Sequence, residues 1–214
     1  MPTVTSDVRT FLVVAAEKFE LRYIRPREDV AWKFVANGPG AALAGAGMDA
    51  IGAGVAAVLN VGLCGALAED LEVGDIVVGT AINGIPIEIP EARLRHRLGP
   101  ILSVDHVVQT AEEKRELGRT GAIAVEMEAA AALDRARRWG VPFYCVRAVS
   151  DAVDEGFSLD LNAARGVDGR FLLSRILAQA VGNPWVRVPE LFRLKRSSDI
   201  ASSALGVFIA NCSF

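Results

Sequence analysis

Cysteine is scarce in this 214-residue chain: Cys64, Cys145 and Cys212 are its whole complement. An odd number of thiols so far apart argues against a disulfide framework and a zinc site, and suits a reducing compartment. An excess of either charge is missing too. Lysine and arginine total 23 against 26 acidic residues, a net charge of -3 with an isoelectric point near 5.5. Such a balance creates no field that would gather phosphate backbones, so a small molecule is a better expected partner than nucleic acid. No apolar run is long enough to span a bilayer. The alanine- and glycine-rich stretch 41–61 is interrupted by glycines and by Asp49, and reads as a packed helix followed by a strand. Residues 1–10 carry Asp7 and Arg9 ahead of an apolar run too short for a signal peptide, so the expected location is cytoplasmic. Repeats, low-complexity tracts and obvious linkers are absent as well.

What the chain does have is apolar material: 51% of its residues are hydrophobic and 23% charged, which excludes a disordered chain. Its length suits one domain, whose core buries roughly 70% of the unfolded surface. Short β-rich runs at 11–16, 58–61, 76–78, 101–104, 123–125 and 143–149 are bounded by glycine, proline or charge and read as buried strands. Helical stretches at 40–52, 111–119, 126–139 and 166–181 alternate with them. The alternation predicts an α/β fold, a single domain with a twisted, mostly parallel or mixed central sheet flanked by helices. The 126–139 helix is the best marked, because Arg135, Arg137 and Arg138 precede Gly140 and Pro142. Beyond Gly182 the character changes, with Asn183, Pro184 and Trp185 followed by the basic Arg193, Lys195 and Arg196. Residues 1–182 are read as the main body and 183–214 as a helical C-terminal appendage of the same domain. In an open α/β sheet, ligands gather beyond the carboxyl ends of the strands, which singles out residues 62–67, 126–128 and 147–151.

These three places carry patterns. Residues 60–79, NVGLCGALAEDLEVGDIVVG, resemble the glycine-rich strand-turn of the nucleoside phosphorylase and nucleosidase superfamily. Residues 124–131, AVEMEAAA, resemble the ribose-binding Glu-Met-Glu segment of the methylthioadenosine/S-adenosylhomocysteine nucleosidases, and 146–151, VRAVSD, are similar to their catalytic Arg-x-x-Ser-Asp. Gly62 and Gly65 alone would serve a tight turn equally well; the three motifs in order carry the resemblance, which runs from Phe11 to about Asp160. A narrower similarity, to the hopanoid-associated phosphorylase subgroup, rests on Lys114, Leu117, Thr120-Gly121-Ala122, Asp168-Gly169-Arg170, Pro184-Trp185 and Pro189-Glu190-Leu191. It implies release of adenine from adenosylhopane.

The resemblance implies cleavage of the N-glycosidic bond of a purine nucleoside, with residues 1–182 as the catalytic domain. Breaking that bond develops positive charge on the ribose and negative charge on the base, so a site needs an anion by the sugar and a proton for the purine. By resemblance, Glu128 binds the ribose hydroxyls, Met127 packs against the ribose, and Asp151 is the general acid toward the purine N7. Ser150 holds that carboxylate, Arg147 orients the water or an anion, and Gly65 and Val108 also border the substrate. Glu20 matches the position that activates the nucleophilic water, with Glu17 one turn earlier as the alternative. Taken singly, each residue has a plainer role: a first-turn acid ionised by the helix dipole for Glu128, an N-terminal cap for Glu126, core for Met127, a turn cap for Asp151, a structural ion pair for Arg147. To hold a proton at neutral pH an aspartate needs burial or a neighbouring carboxylate, and one of these is expected around Asp151.

Departures from the family pattern matter. Asn60 and Leu63 stand where phosphorylases place arginine and serine to hold phosphate, and no basic glycine-rich cradle replaces them, so water is the expected nucleophile. A phosphate-dependent purine nucleoside phosphorylase is the alternative. A stacking aromatic is missing near Val107, leaving base recognition to backbone groups there and to His106. The connection from Ile85 to Gly99 is shorter than in the family and is expected to widen the 5′ end of the pocket. These losses also admit a catalytically inactive nucleoside-binding module, against which the intact Glu128, Arg147 and Asp151 argue. A Rossmann dehydrogenase is disfavoured, because the third glycine after Gly62 and Gly65 is missing. Neither cofactor nor metal is expected. The resemblance implies a homodimer. The tail, residues 188–214, mixes Leu191, Phe192, Leu194, Leu205, Phe208 and Ile209 with Arg193, Lys195 and Arg196 and reads as an amphipathic helix pair. Such a pair serves core and dimer contacts, or peripheral membrane contact for a lipid-tailed substrate.

Overall fold

The computed structural model describes residues 9–26, 30–166 and 168–214; the expectation resting on Asp7 and its neighbours lies outside them. The elements run β1 (Thr10–Ala15), α1 (Lys18–Leu21), β2 (Ala31–Ala36), α2 (Ala41–Ile51), β3 (Ala57–Ala66), β4 (Ile76–Ile82), β5 (Ile85–Pro86), β6 (Glu91–Ala92) and β7 (Arg97–Ser103). There follow α3 (Ala111–Gly118), β8 (Ala124–Glu126), α4 (Ala129–Trp139), β9 (Phe143–Asp151), α5 (Leu173–Gly182), α6 (Pro184–Ala210) and β10 (Cys212–Ser213).

The expected α/β sheet is present and mixed. Strands β2, β1, β3 and β9 are parallel neighbours in that order, whereas β8 joins β3, and β4 joins β9, in antiparallel fashion. Because β7 bridges β8 and β4, strands β3, β8, β7, β4 and β9 close into a ring that no local pattern announces. Alternate residues of the buried strands feed two cores, as the period of two requires. Leu12, Val14 and Val58 pack with Met48 of α2 and Leu133 of α4 on one face. Val13, Leu59 and Val61 pack with Leu205, Phe208 and Ile209 of α6 on the other.

Several boundaries differ from expectation for identifiable reasons. Strand β2, AWKFVA, was not anticipated, because as a sheet-edge strand it has little buried surface and its mixed polarity hides it. Gly62 and Gly65 lie inside β3 rather than in a turn. Helix α4 starts at Ala129, with Glu128 as its N-cap residue and Glu126 still in β8; it ends as expected on Gly140 in the left-handed conformation. In the 166–181 stretch helix begins only at Leu173. The tail is one 27-residue helix carrying Pro189, not a helix pair, and its later half inserts Ala201, Leu205, Phe208 and Ile209 into the second core.

Candidate active site

Strand β9 places Arg147 directly beside Gly62 of β3. A Cβ on Gly62, whose φ is 151°, would stand 2.6 Å from Arg147 Nη1 and 2.7 Å from Glu20 Oε1, so glycine is what lets the two side chains meet there. Arg147 is 0% exposed. Its Nη2 donates to Asn60 Oδ1 and Glu126 Oε2, and its Nη1 lies 3.6 Å from Glu128 Oε2. Glu126 in turn accepts the backbone N–H groups of Glu128 at 2.9 Å and Ala129 at 3.0 Å, fastening the start of α4. Glu128 Oε1 accepts the Gly40 N–H at 2.7 Å, at the head of α2. Glu20, on the short α1, accepts Leu63 N–H at 2.9 Å and Glu17 N–H at 2.7 Å.

Three buried carboxylates thus surround one guanidinium. Burial, reinforced by the charges of Glu126 and Glu20, pushes the Glu128 carboxyl up to about 8 against the pull of Arg147. This corrects the expectation that the helix dipole keeps Glu128 ionised: desolvation and like charges outweigh it. Burial raises Glu20 as well, opposed by its two N–H bonds and by Arg147.

Beside the cluster opens a cavity of about 410 Å³. Gly65, Met127, Val108, Ser150 and Asp151 line it, with Glu126 shared between cavity and cluster. Phe157, Leu161, Phe171, Ile176 and Leu194 form an apolar wall. Asp151 is 2.7 Å from the Ser150 hydroxyl through Oδ1 and 2.5 Å from Lys114 Nζ through Oδ2. The group next to Asp151 is therefore an ammonium, not the neighbouring carboxylate offered as one expectation, although the aspartate is buried. A Cβ at Gly65 would approach Asp151 Oδ2 to 2.9 Å, so this glycine too admits a carboxylate.

His106 borders the cavity, held by Asp105 at 2.9 Å and Glu113 at 2.7 Å, and both bonds raise its pKa. The Val107 N–H and carbonyl are already taken by the Asn162 side chain, both at 2.8 Å, so Val107 does not supply the free backbone groups expected for the base. The 85–99 connection contributes no wall: β5 pairs with β4 and β6 with β10, away from the cavity. Among the candidate residues, Glu20, Glu128 and Arg147 meet in the buried cluster, and the others meet in the cavity. Glu17 caps α1 outside the cluster. Sequence reasoning missed Lys114 as a site residue, since a lysine among Glu112, Glu113, Arg115 and Glu116 looks solvated. Among the described residues no group of three or more histidine, cysteine or acidic side chains is arranged to hold a metal ion.

An α/β domain with a buried acidic cluster opening on an apolar cavity at the ends of its strands is the class of protein these features define. Residues 88–181 match the family model of the phosphorylase superfamily. The chain is 31% identical over 131 residues to the 5′-methylthioadenosine/S-adenosylhomocysteine nucleosidase of Haemophilus ducreyi, covering 46% of this chain and 56% of that one. It is 30% identical over 127 residues to the Staphylococcus aureus protein of the same name, covering 44% and 56%. The chain thus spans little more than half the length of the curated relatives it matches. In fold it superposes on the futalosine hydrolase of Helicobacter pylori with a TM-score of 0.66, at 18% identity over 95% of this chain and 98% of that one. The 5′-methylthioadenosine/S-adenosylhomocysteine nucleosidase of Neisseria meningitidis, in complex with methylthio-immucillin-A, gives the same values. The sequence likeness to the phosphorylase superfamily thus lies in residues 88–181, and the likeness in fold extends over 95% of the chain.

Proposed function

We propose that this chain is an enzyme that cleaves the N-glycosidic bond of a purine nucleoside by hydrolysis. The observation that carries the reading is the cluster of Glu20, Glu126 and Glu128 around a single arginine, next to the cavity holding Asp151. As the bond stretches, the ribose becomes cationic, and a preorganised net-negative cluster stabilises that charge without reorganising. Glu20, held by two backbone amides, takes the proton of the attacking water; Glu128 and Met127 hold the ribose; Asp151 delivers a proton to the departing purine. The names of the relatives, nucleosidases acting on adenine nucleosides, support this class of substrate. Phosphate fits poorly. An entering dianion would meet a pocket of acidic side chains and an arginine already bonded to Asn60 and Glu126, and the Leu63 side chain offers no donor. The test is incubation with adenine nucleosides with and without phosphate. Free adenine and free sugar are expected without phosphate; a strict phosphate requirement overturns the hydrolase in favour of the phosphorylase, and no release from any nucleoside favours a binding module.

A second observation bears on the 5′ substituent. Leu173, Leu177, Val181, Val186 and Phe192 are exposed on α5 and the first turns of α6, and Trp185 is 90% exposed. This surface adjoins the cavity through Ile176 and Leu194 and carries Arg175, Arg187, Arg193, Lys195 and Arg196. No helix among the described residues is long and apolar enough to cross a membrane, but an apolar face with basic flanks suits peripheral contact with an anionic bilayer. A nucleoside with a polycyclic lipid tail, of the adenosylhopane type, would then reach the cavity from the membrane. Binding to anionic vesicles is expected, and a Trp185→Ser, Phe192→Ser double variant should weaken it. A homodimer in sedimentation that binds no vesicles would instead assign this face to a second copy.

A further inference from the structure

Lys114 is 0% exposed, one of the largest fully buried side chains among the described residues. It enters from α3, and its ammonium makes three hydrogen bonds: to Asp151 Oδ2 at 2.5 Å, to the Ala152 carbonyl at 2.7 Å and to the Glu155 carbonyl at 2.9 Å. The Phe157 ring, part of the cavity wall, closes over it at 5.5 Å from the ring centroid. Every N–H is therefore used, and only one of the three acceptors, the Asp151 carboxylate, is basic enough to receive a proton. Glu155 is held by Arg193 at 3.0 Å, which leaves Asp151 as the counter-ion of Lys114. A lysine serving stability alone is an unfavourable choice here, since a buried ion pair rarely outdoes apolar side chains of like volume.

One oxygen of Asp151 accepts an N–H of Lys114, which places the proton of the ammonium in line with that carboxylate. Its other oxygen faces the Ser150 hydroxyl, a very weak acid. We propose that Lys114 is the positioning residue for Asp151 and the source of the proton that Asp151 passes to the departing purine, an inference that rests on the purine-nucleoside reading. As the glycosidic electron pair moves onto the base, an N–H bond of Lys114 breaks and an O–H bond forms on Asp151. That O–H bond then breaks as N–H forms on the purine. Water adds to the ribose and its surplus proton goes to Glu20. Lys114 is left a neutral amine and Glu20 a neutral acid; both return to their starting states by exchange with solvent after the products leave, so the overall reaction consumes one water and no net proton.

The experiment uses the full chain with Lys114→Gln and Lys114→Arg, each first shown to unfold cooperatively. Lys114→Gln is expected to lower kcat for adenine release by about 10²-fold with KM changed less than about threefold. The deficit should shrink to under about tenfold on a 6-chloropurine nucleoside, whose more acidic base leaves with less help. Lys114→Arg keeps the charge and the donors but does not surrender its proton, so its rate should stay low. Equal losses on the two nucleosides, an undiminished rate in Lys114→Gln, or wild-type rate in Lys114→Arg would each overturn the proton role. If the glutamine variant does not fold, the arginine variant alone decides in the same way. Failure of the wild-type chain to release any purine is seen before either variant is made; it overturns the nucleoside reading and this inference with it.

Discussion

Glu128 and Asp151 are both buried acids, yet their surroundings set them apart: one lies among carboxylates, the other against an ammonium. Glu128 loses its proton near its ordinary value of 4.5 in the unfolded chain and only at about 8 in the folded one. Between those values the folded state binds more protons, so this residue lowers stability as pH rises through the window, and the loss is complete above it. Glu128→Gln, which cannot ionise, is expected to flatten that decline and to raise Tm near about pH 8.5 by a few degrees, on the order of the 2–4 °C that 1 kcal/mol brings in a domain of this size. It should lose activity at the same time. Thermal unfolding of both forms between about pH 5 and 8.5 checks this; parallel curves would show that Glu128 ionises as freely folded as unfolded. Asp151→Asn, by contrast, preserves shape but cannot relay a proton, and should keep nucleoside binding while losing about 10²-fold or more in base release. Unchanged turnover would remove Asp151 from the reaction.

Among the elements, α6 lines the cavity with Leu194 and braces its wall through Glu190. Glu190 is buried and accepts N–H groups from Ser158 at 2.8 Å and Leu159 at 3.1 Å, along with the Ser158 hydroxyl. These bonds tie down the segment that presents Phe157 and Leu161 to the cavity. Glu190→Ala leaves those donors unpaired and should cost about 1–3 kcal/mol. Its kinetic mark is a raised KM with kcat lowered less, because the cavity wall is loosened while the acidic cluster is untouched; steady-state kinetics beside thermal unfolding would measure both, and an unchanged KM would separate Glu190 from substrate binding. α4 illustrates the opposite case. Its basic last turn, Gly140 and Pro142 are local signals, and its C-terminus lies where they put it. Its start was misplaced because β8 runs straight into it and Glu126, still in the strand, supplies the cap.

At the scale of the molecule, residues 183–214 cannot be trimmed as a dispensable extension. Leu205, Phe208 and Ile209 cover Val13, Leu59, Val61 and Val146, and β10 pairs with β6. Ending the chain at Gly182 should therefore give a protein without cooperative unfolding, since losing several buried large side chains at about 2–5 kcal/mol each exceeds the stability of a typical domain. Circular dichroism and a melting curve would check it; a folded, cooperative truncation product would mean that the second core closes without α6. The vesicle-binding comparison accordingly uses point substitutions at Trp185 and Phe192, which are exposed and leave that core alone.

Local pattern determined much of this protein by itself. The alternation of apolar runs with amphipathic stretches specifies buried strands and covering helices, because period and hydrophobicity act over a few residues. The short motifs around Gly62, Glu128 and Asp151 likewise contain most of the candidate site. Only the tertiary structure decided the rest. The ring of β3, β8, β7, β4 and β9 depends on pairings between residues as far apart in the chain as Gly65 and Asp151. That Glu20 rather than Glu17 approaches Gly62 depends on how α1 packs against β3. The raised Glu128 carboxyl and the Lys114–Asp151 pair depend on burial and on charges brought together from separate elements. Desolvation and proximity are properties of the folded arrangement, and neither is encoded in the neighbours of a residue along the chain.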